Sequence, residues 1–171
     1  MNQPNKLSAV LIATSIMLLI SLFPGLNIIN LFCCAGIIAG GAGGTLYYIR
    51  ASRRAGLEVG NRDGLMIGLL AGIISAIIYV IASTLIIMYS SVNPVEMVYK
   101  FAEDYGIEIP PESENLLKMV YDDYQRQGFS FLMIGIELFT RIISHCTFGA
   151  AGGLLTVSIY NKRMSSRSTD V

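Results

Sequence analysis

The chain has 171 residues, of which 53% are hydrophobic and 14% are charged, and its formal net charge is zero. A typical soluble domain has about 25% charged residues, and the mean hydropathy here is +0.59. Disordered chains and nucleic-acid-binding proteins carry charge in excess, so the composition argues against both, and we expect no nucleic-acid partner. It predicts instead an integral membrane protein whose first partner is the lipid bilayer.

Four apolar segments are long enough to cross a bilayer, which requires about 20 mostly apolar residues per helix. They occupy residues 7–23, 26–49, 64–89 and 138–160. The first segment is longer than the apolar region of a signal peptide and lacks a small-residue cleavage site, so we expect it to remain as a span. The predicted fold class is an all-α integral membrane four-helix bundle that forms a single domain over residues 1–171.

Charge sets the expected orientation. The loop 50–63 has four arginines against two acidic residues, and both chain ends are mainly basic. The segment 90–128 has three basic residues against eight acidic ones. Because short basic segments stay in the cytoplasm, we predict that both termini and the loop 50–63 are cytoplasmic, whereas residues 90–128 are extracytoplasmic.

The segment between spans three and four has the pattern of two amphipathic helices. Asn93 followed by Pro94 is a typical helix start, and Gly106 is a stop signal. A second helix follows two prolines and ends at Gly128. The sequence therefore predicts a helical insert at about residues 93–128, which acts either as a solvated acidic cap or as a cap that binds a partner or gates a ligand.

Glycines recur every four residues in three of the spans, and residues four apart share one face of a helix. The predicted helix-packing residues are Gly36, Gly40, Gly44, Gly64, Gly68, Gly72, Gly149 and Gly153. Small residues let the backbones of membrane helices approach closely. These faces predict either close packing within one bundle or self-association into a homo-oligomer, and a membrane-protein partner is a further possibility.

Ionisable residues inside a membrane are costly and are therefore candidates for function. Glu137, Arg141 and His145 are four residues apart on one face of span four, and Asn30 lies in the same outer half of span two. The pattern is compatible with an ion pair between Glu137 and Arg141 supported by interhelical hydrogen bonds. The alternative is an outward-facing polar pocket that binds a solute near Arg141.

Motifs for catalysis or metal binding are absent from the sequence. It contains neither a zinc-protease motif nor a nucleophile elbow nor a phosphate-binding loop, and it has one histidine and three cysteines without metal-type spacing. We expect no catalytic residues, no cofactor and no metal site. The function predicted first is that of a non-catalytic structural, accessory or interaction protein assembled through glycine-rich helix faces. The alternative is a small transporter or channel component.

Two segments resemble each other, residues 34–41 and 146–153. Each begins with cysteine and ends with a glycine pair, and a tyrosine and a basic residue follow at the same offsets. The likeness is compatible with an internal repeat of two parallel hairpins, related by an axis along the membrane normal. The alternative is chance similarity between two glycine-rich membrane helices.

The whole organisation resembles small bacterial four-span membrane proteins of unknown function. The matching stretches are residues 30–34, Gly40-Gly41, Asn93-Pro94, residues 149–153 and Lys162-Arg163. The resemblance implies a bacterial source and a multi-pass location in the inner membrane, and it implies no activity, substrate or catalytic residue.

Overall fold

The computed structural model describes residues 4–23, 25–26, 34–90 and 93–169, with side chains as far as residue 164. Its helices are α1 (Lys6–Leu22), α2 (Ala35–Arg54), α3 (Asn61–Ser90), α4 (Pro94–Asp104), α5 (Pro111–Gln127) and α6 (Phe131–Thr169). The described ranges contain helices and no strand, which confirms the all-α class.

Two of the helices are long and apolar enough, by length and composition, to cross a membrane. These are α3 and the part of α6 from Phe131 to Met164, whose most apolar windows have mean hydropathies of 2.6 and 1.5. Helix α1 is also apolar but has 17 residues. The structure thus describes a helical protein with two candidate membrane-spanning helices, and the four-span arrangement stays a prediction.

The predicted second span, residues 26–49, is not one continuous helix. Cys34 has a φ of 56°, in the left-handed region, and α2 begins only at the next residue. An L-residue in that conformation interrupts a right-handed helix. At its other end α2 extends past residue 49 to Arg54, and Gly56 with a φ of 70° follows. Residues 27–33, part of the predicted span, lie outside the described residues.

The helices of the insert begin and end where the sequence predicts. The Asn93 side chain accepts a hydrogen bond from the Val95 amide at 3.0 Å and caps α4, which starts with Pro94. Gly106 and Gly128, with φ values of 64° and 77°, follow α4 and α5. Glycine adopts positive φ values without steric cost, so these two residues stop the helices for local backbone reasons.

The structure divides into two compact units, where the sequence predicts one domain. The first unit comprises Met1–Tyr79 and Thr140–Val171, and the second comprises Val80–Phe139. The core of the first unit combines small and medium-sized side chains, and it includes Ala9, Ala13, Met17, Ile37, Ile49, Ile67, Ala71 and Val157. Side chains this small allow the helices of the first unit to approach closely.

Contacts within the first unit fix the direction of α1 relative to α3. Near their starts, Lys6 forms an ion pair with Asp63 at 2.7 Å. Further along, the Thr14 hydroxyl reaches the Ala71 carbonyl at 3.5 Å. Both contacts advance together along the two helices, so α1 and α3 run in the same direction.

Helices α2 and α6 also run in the same direction in this unit. Gly41 lies against the backbone of Gly149, and one turn later Gly153 lies against the Thr45 hydroxyl. About three turns after the first contact, the Arg53 guanidinium lies 5.7 Å from the centre of the Tyr160 ring. Three segments therefore come together at one end of the first unit. They are the start of α1, the loop after α2 and residues 160–164.

Candidate functional site

Three glycines of α3 lie directly against the backbone of α6. A Cβ atom built at Gly64 would lie 2.5 Å from the Gly153 carbonyl oxygen, and one built at Gly72 would lie 2.5 Å from that of His145. Gly68 is closer still to the Gly149 carbonyl oxygen, and these neighbours are backbone atoms that no rotamer change can move. The pairing advances along α3 as it retreats along α6, so the two helices are antiparallel and leave no room for a side chain at these positions.

Each glycine pair of the repeated segments serves two neighbouring helices. Gly40 lies against Ala13 and Met17 of α1, whereas the adjacent Gly41 faces Gly149 of α6. In α6, Gly153 faces Gly64 of α3, whereas Gly152 lies against the Ile38 carbonyl of α2. Consecutive residues of a helix point about 100° apart, so a glycine pair allows close approach on two sides at once.

The remaining predicted packing residues lie in the same unit. A Cβ atom at Gly44 would lie 2.5 Å from the Ala9 carbonyl oxygen of α1. Gly36 is buried in the first turn of α2. The four-residue spacing used for the prediction does not include Gly41 and Gly152. Both are directly adjacent to a predicted glycine, and this Gly-Gly pairing is the sequence signal that could have identified them.

His145 is fully buried and is held by α3. The Ser75 hydroxyl lies 2.9 Å from Nδ1 of His145 and 3.0 Å from the Gly72 carbonyl oxygen. The same hydroxyl also lies 3.5 Å from the Met17 sulfur. Nε2 of His145 is one of the buried polar atoms without a hydrogen-bond partner in the described part of the chain.

Arg141 lies beside Tyr79, one turn along both helices from the His145 contact. Its guanidinium donates to the Tyr79 hydroxyl at 2.9 Å and lies 4.1 Å from the ring centre. This is a cation–π geometry. The Tyr79 ring also meets the His145 ring edge-on, with the centres 6.3 Å apart.

Glu137 belongs to the second unit, where it has its own partner on α3. The Ser83 hydroxyl lies 3.3 Å from its carboxylate and 3.0 Å from the Val80 carbonyl oxygen, and these two acceptors compete for the single hydroxyl proton. In the same unit, burial and, after it, the Glu137 carboxylate raise the pKa of Tyr124 above its ordinary value. The ion pair predicted between Glu137 and Arg141 stays a prediction.

The three polar contacts follow one spacing. Ser75, Tyr79 and Ser83 of α3 are four residues apart, and so are their partners on α6 in reverse order. Two contacts lie in the first unit and one in the second. The α6 residues of these contacts are predicted from the sequence, whereas Ser75 and Tyr79 are not. The four-residue spacing of Ser75 and Tyr79, matched to the same spacing on an antiparallel helix, is a signal from which they could have been found. Asn30 lies outside the described residues.

A pocket of about 420 Å³ opens at the end of the first unit where the loop after α2 meets α6. Its lining includes Arg53, Leu57, Val59, Tyr160 and Asn161. The Asn161 amide donates to the Val59 carbonyl at 3.4 Å and ties the loop to the helix. This pocket cannot be predicted from sequence motifs, because its shape depends on how the loop after α2 folds back against α6.

The ion pair between Lys6 and Asp63 at the same end favours the charged form of Lys6. Lys6 donates to the Asp63 carboxylate, and this hydrogen bond holds the Lys6 pKa above its ordinary value. The Asp63 carboxylate also accepts from the Gly60 amide at 3.1 Å. The contacts join the start of α1 to the beginning of α3.

The second unit has an open groove of about 740 Å³ between α4 and α5. Glu96, Lys100, Glu103 and Lys118 are among its lining residues. The apolar side chain of Phe101, which is also on α4, is 57% exposed. The groove is a mixed-charge surface without a reactive cluster among its described side chains.

No family model, curated protein or solved structure matches this chain. The resemblance to small bacterial four-span proteins accordingly stays a prediction. In the described part of the chain, no group of three or more histidine, cysteine, aspartate or glutamate side chains has the arrangement of a metal site.

Proposed function

We propose that the chain is a non-catalytic accessory protein of the bacterial inner membrane. It crosses the bilayer four times, with both termini in the cytoplasm and the helical insert outside. The observation that carries this proposal is the direct backbone contact of Gly64, Gly68 and Gly72 with α6. Apolar burial contributes little to helix association in lipid, where close packing of small residues replaces it, and this is the packing that the three glycines provide.

The polar contacts between α3 and α6 support the same proposal. In a membrane, polar side chains find partners on neighbouring helices or line a cavity. Ser75 with His145, Tyr79 with Arg141, and Ser83 with Glu137 are such partners. The contacts join helices, so they favour a structural role for the polar residues over a solute site.

The alternative function, solute binding near Arg141, has one supporting observation. Nε2 of the fully buried His145 is left without a partner, and a small polar ligand would supply one. The remaining polar groups of this region are already engaged by side chains of the same unit, so we rank this function second.

The glycine contacts within one chain also favour closure of a single bundle over self-association through the same faces. Gly40, Gly68 and Gly149 each lie against backbone or side-chain atoms of their own chain, so these faces are not available to a second copy.

We therefore expect the detergent-solubilised protein to have the mass of one chain, 18.6 kDa, after subtraction of the bound detergent. Light scattering coupled to size-exclusion chromatography measures this mass. Gly68→Leu should cause loss of folded protein rather than a change from dimer to monomer. A stable dimer that Gly68→Leu converts to a folded monomer would contradict the proposal and favour self-association through the glycine faces.

A further inference from the structure

The end of the first unit that contains the pocket is strongly basic. Its described charged side chains are Lys6, Arg50, Arg53, Arg54, Arg62, Lys162 and Arg163, against Glu58 and Asp63. One of the two acidic groups, Asp63, is already paired with Lys6. Under the proposed topology this end lies at the cytoplasmic surface of the bilayer, where anionic lipid headgroups attract basic segments.

The lining of the pocket is polar on one part and apolar on another. Arg53 and Asn161 provide hydrogen-bond donors, and Leu57, Val59 and Met164 provide apolar surface. The Arg53 guanidinium lies over the Tyr160 ring at 5.7 Å, which restrains its position. Its planar donor set matches the oxygens of a phosphate group.

We propose that this pocket binds the headgroup phosphate of an anionic phospholipid. Arg53 donates to the phosphate, Asn161 adds a neutral donor, and the glycerol and first acyl carbons contact Leu57 and Val59. Inorganic phosphate shares the charged group but has nothing to place against the apolar wall, so the lipid is the better occupant. The proposal rests on the membrane topology proposed above, because the pocket must face the headgroup layer.

Glu58 is the acidic residue of the lining and is exposed. Its carboxylate repels a phosphate and so weakens the site. The two substitutions should therefore change the lipid affinity in opposite directions. Glu58→Gln should strengthen the binding of anionic lipid, whereas Arg53→Gln should weaken it.

The chain has no tryptophan, so one introduced at the pocket is a unique fluorescent reporter. Met164 lines the pocket and is 38% exposed, which makes Met164→Trp a suitable position. The full-length variant is reconstituted in phosphatidylcholine vesicles that contain increasing fractions of brominated phosphatidylglycerol, or of brominated phosphatidylcholine as the neutral reference. Quenching by the two brominated lipids gives the relative affinity of the pocket for the anionic headgroup.

Both lipids carry a phosphodiester, but the guanidinium of Arg53 repels the choline ammonium of phosphatidylcholine and the carboxylate of Glu58 only partly offsets that repulsion. We therefore expect the pocket to prefer phosphatidylglycerol by about tenfold. Arg53→Gln should reduce this preference to about twofold or less, and Glu58→Gln should increase it. Arg62→Gln is the matched control, because it removes one exposed positive charge at the same end but outside the pocket lining. In about 1 M salt, where surface attraction is screened beyond about 3 Å, Arg62→Gln should leave the preference unchanged.

Each other outcome overturns a defined part of the proposal. Equal losses for Arg53→Gln and Arg62→Gln would mean general surface attraction without a pocket site. Loss of the preference on addition of inorganic phosphate, against chloride at equal ionic strength, would mean a site for free phosphate. Quenching by both lipids with no preference would refute the lipid site and leave the topology standing. If neither lipid quenches Met164→Trp while both quench Phe139→Trp, a control at a 69% exposed side chain of the second unit, the pocket end is not at the membrane and the topology itself fails.

Discussion

Gly68→Ala is expected to lower the free energy of unfolding by about 3 kcal/mol or more. The added methyl group would meet the Gly149 carbonyl carbon at 2.5 Å and the Ala150 Cα at 2.9 Å. Overpacking of a close contact costs about 1–3 kcal/mol, and more when nothing can move aside. Here the neighbours are backbone atoms of α6, so relief requires a shift of one whole helix against the other.

Gly135→Ala is the matched control for this substitution. Gly135 is also in a helix, α6, but a Cβ atom built there meets nothing within 4 Å. Replacement of an unconstrained helical glycine by alanine stabilises a helix by up to about 1 kcal/mol. Unfolding of both variants with increasing SDS in mixed micelles, followed by circular dichroism, measures the difference. Equal stabilities would show that the α3–α6 contact is not close in the folded protein.

Ser75→Ala should destabilise the protein by about 1–3 kcal/mol, which is the usual cost of a buried polar group that loses its hydrogen bond. The substitution removes the partner of Nδ1 of His145, whose Nε2 has no partner already. Both ring nitrogens of a fully buried side chain would then be unpaired. The same SDS titration measures this loss.

The double variant Ser75→Ala with His145→Leu separates a structural role from a ligand role. Replacement of both polar partners by apolar groups of similar size is often nearly neutral, so we expect the double variant to be more stable than Ser75→Ala alone. If the double variant is less stable than either single variant, His145 makes a further stabilising contact. That result would revive the solute-binding alternative, with a ligand at Nε2.

The local features of the fold are readable from the sequence because neighbouring residues cause them. Asn93 caps α4 through its own side chain, and Gly106 and Gly128 end helices through their own backbone. The same holds for the glycine faces of α3 and α6, where a spacing of four defines one side of a helix. These predictions require no knowledge of which helices are neighbours.

What the sequence does not reveal depends on contacts between distant segments. The left-handed conformation of Cys34, which delays the start of α2, has no local signal such as glycine or asparagine. Which helix Gly40 contacts and which helix Gly41 contacts can be predicted only when α1 and α6 are known to lie on two sides of α2. The Ser75–His145 contact depends on the antiparallel register of α3 and α6, and the pocket beside Arg53 on the fold of the loop 55–60.

The repeat between residues 34–41 and 146–153 stays a prediction, but its two ends differ in conformation. Cys34 precedes α2 with a positive φ, whereas Cys146 lies inside α6. Helices α2 and α6 do run in the same direction, as the repeat requires. Their glycine pairs, however, are used in opposite order: the first glycine of the α2 pair faces its hairpin partner α1, whereas in the α6 pair it is the second glycine that faces its hairpin partner α3. Whatever likeness exists therefore begins after the first cysteine.

The central claim, that basic and acidic segments lie on opposite sides of a membrane, is tested most directly by cysteine labelling in intact cells. The two positions are Ser113 in the acidic insert and Arg54 in the basic loop, both exposed, in a background that lacks Cys33, Cys34 and Cys146. With a membrane-impermeant maleimide, we expect that Ser113→Cys is labelled in intact cells and that Arg54→Cys is labelled only after the cells are opened. Labelling of Arg54→Cys in intact cells, or protection of Ser113→Cys, would contradict it.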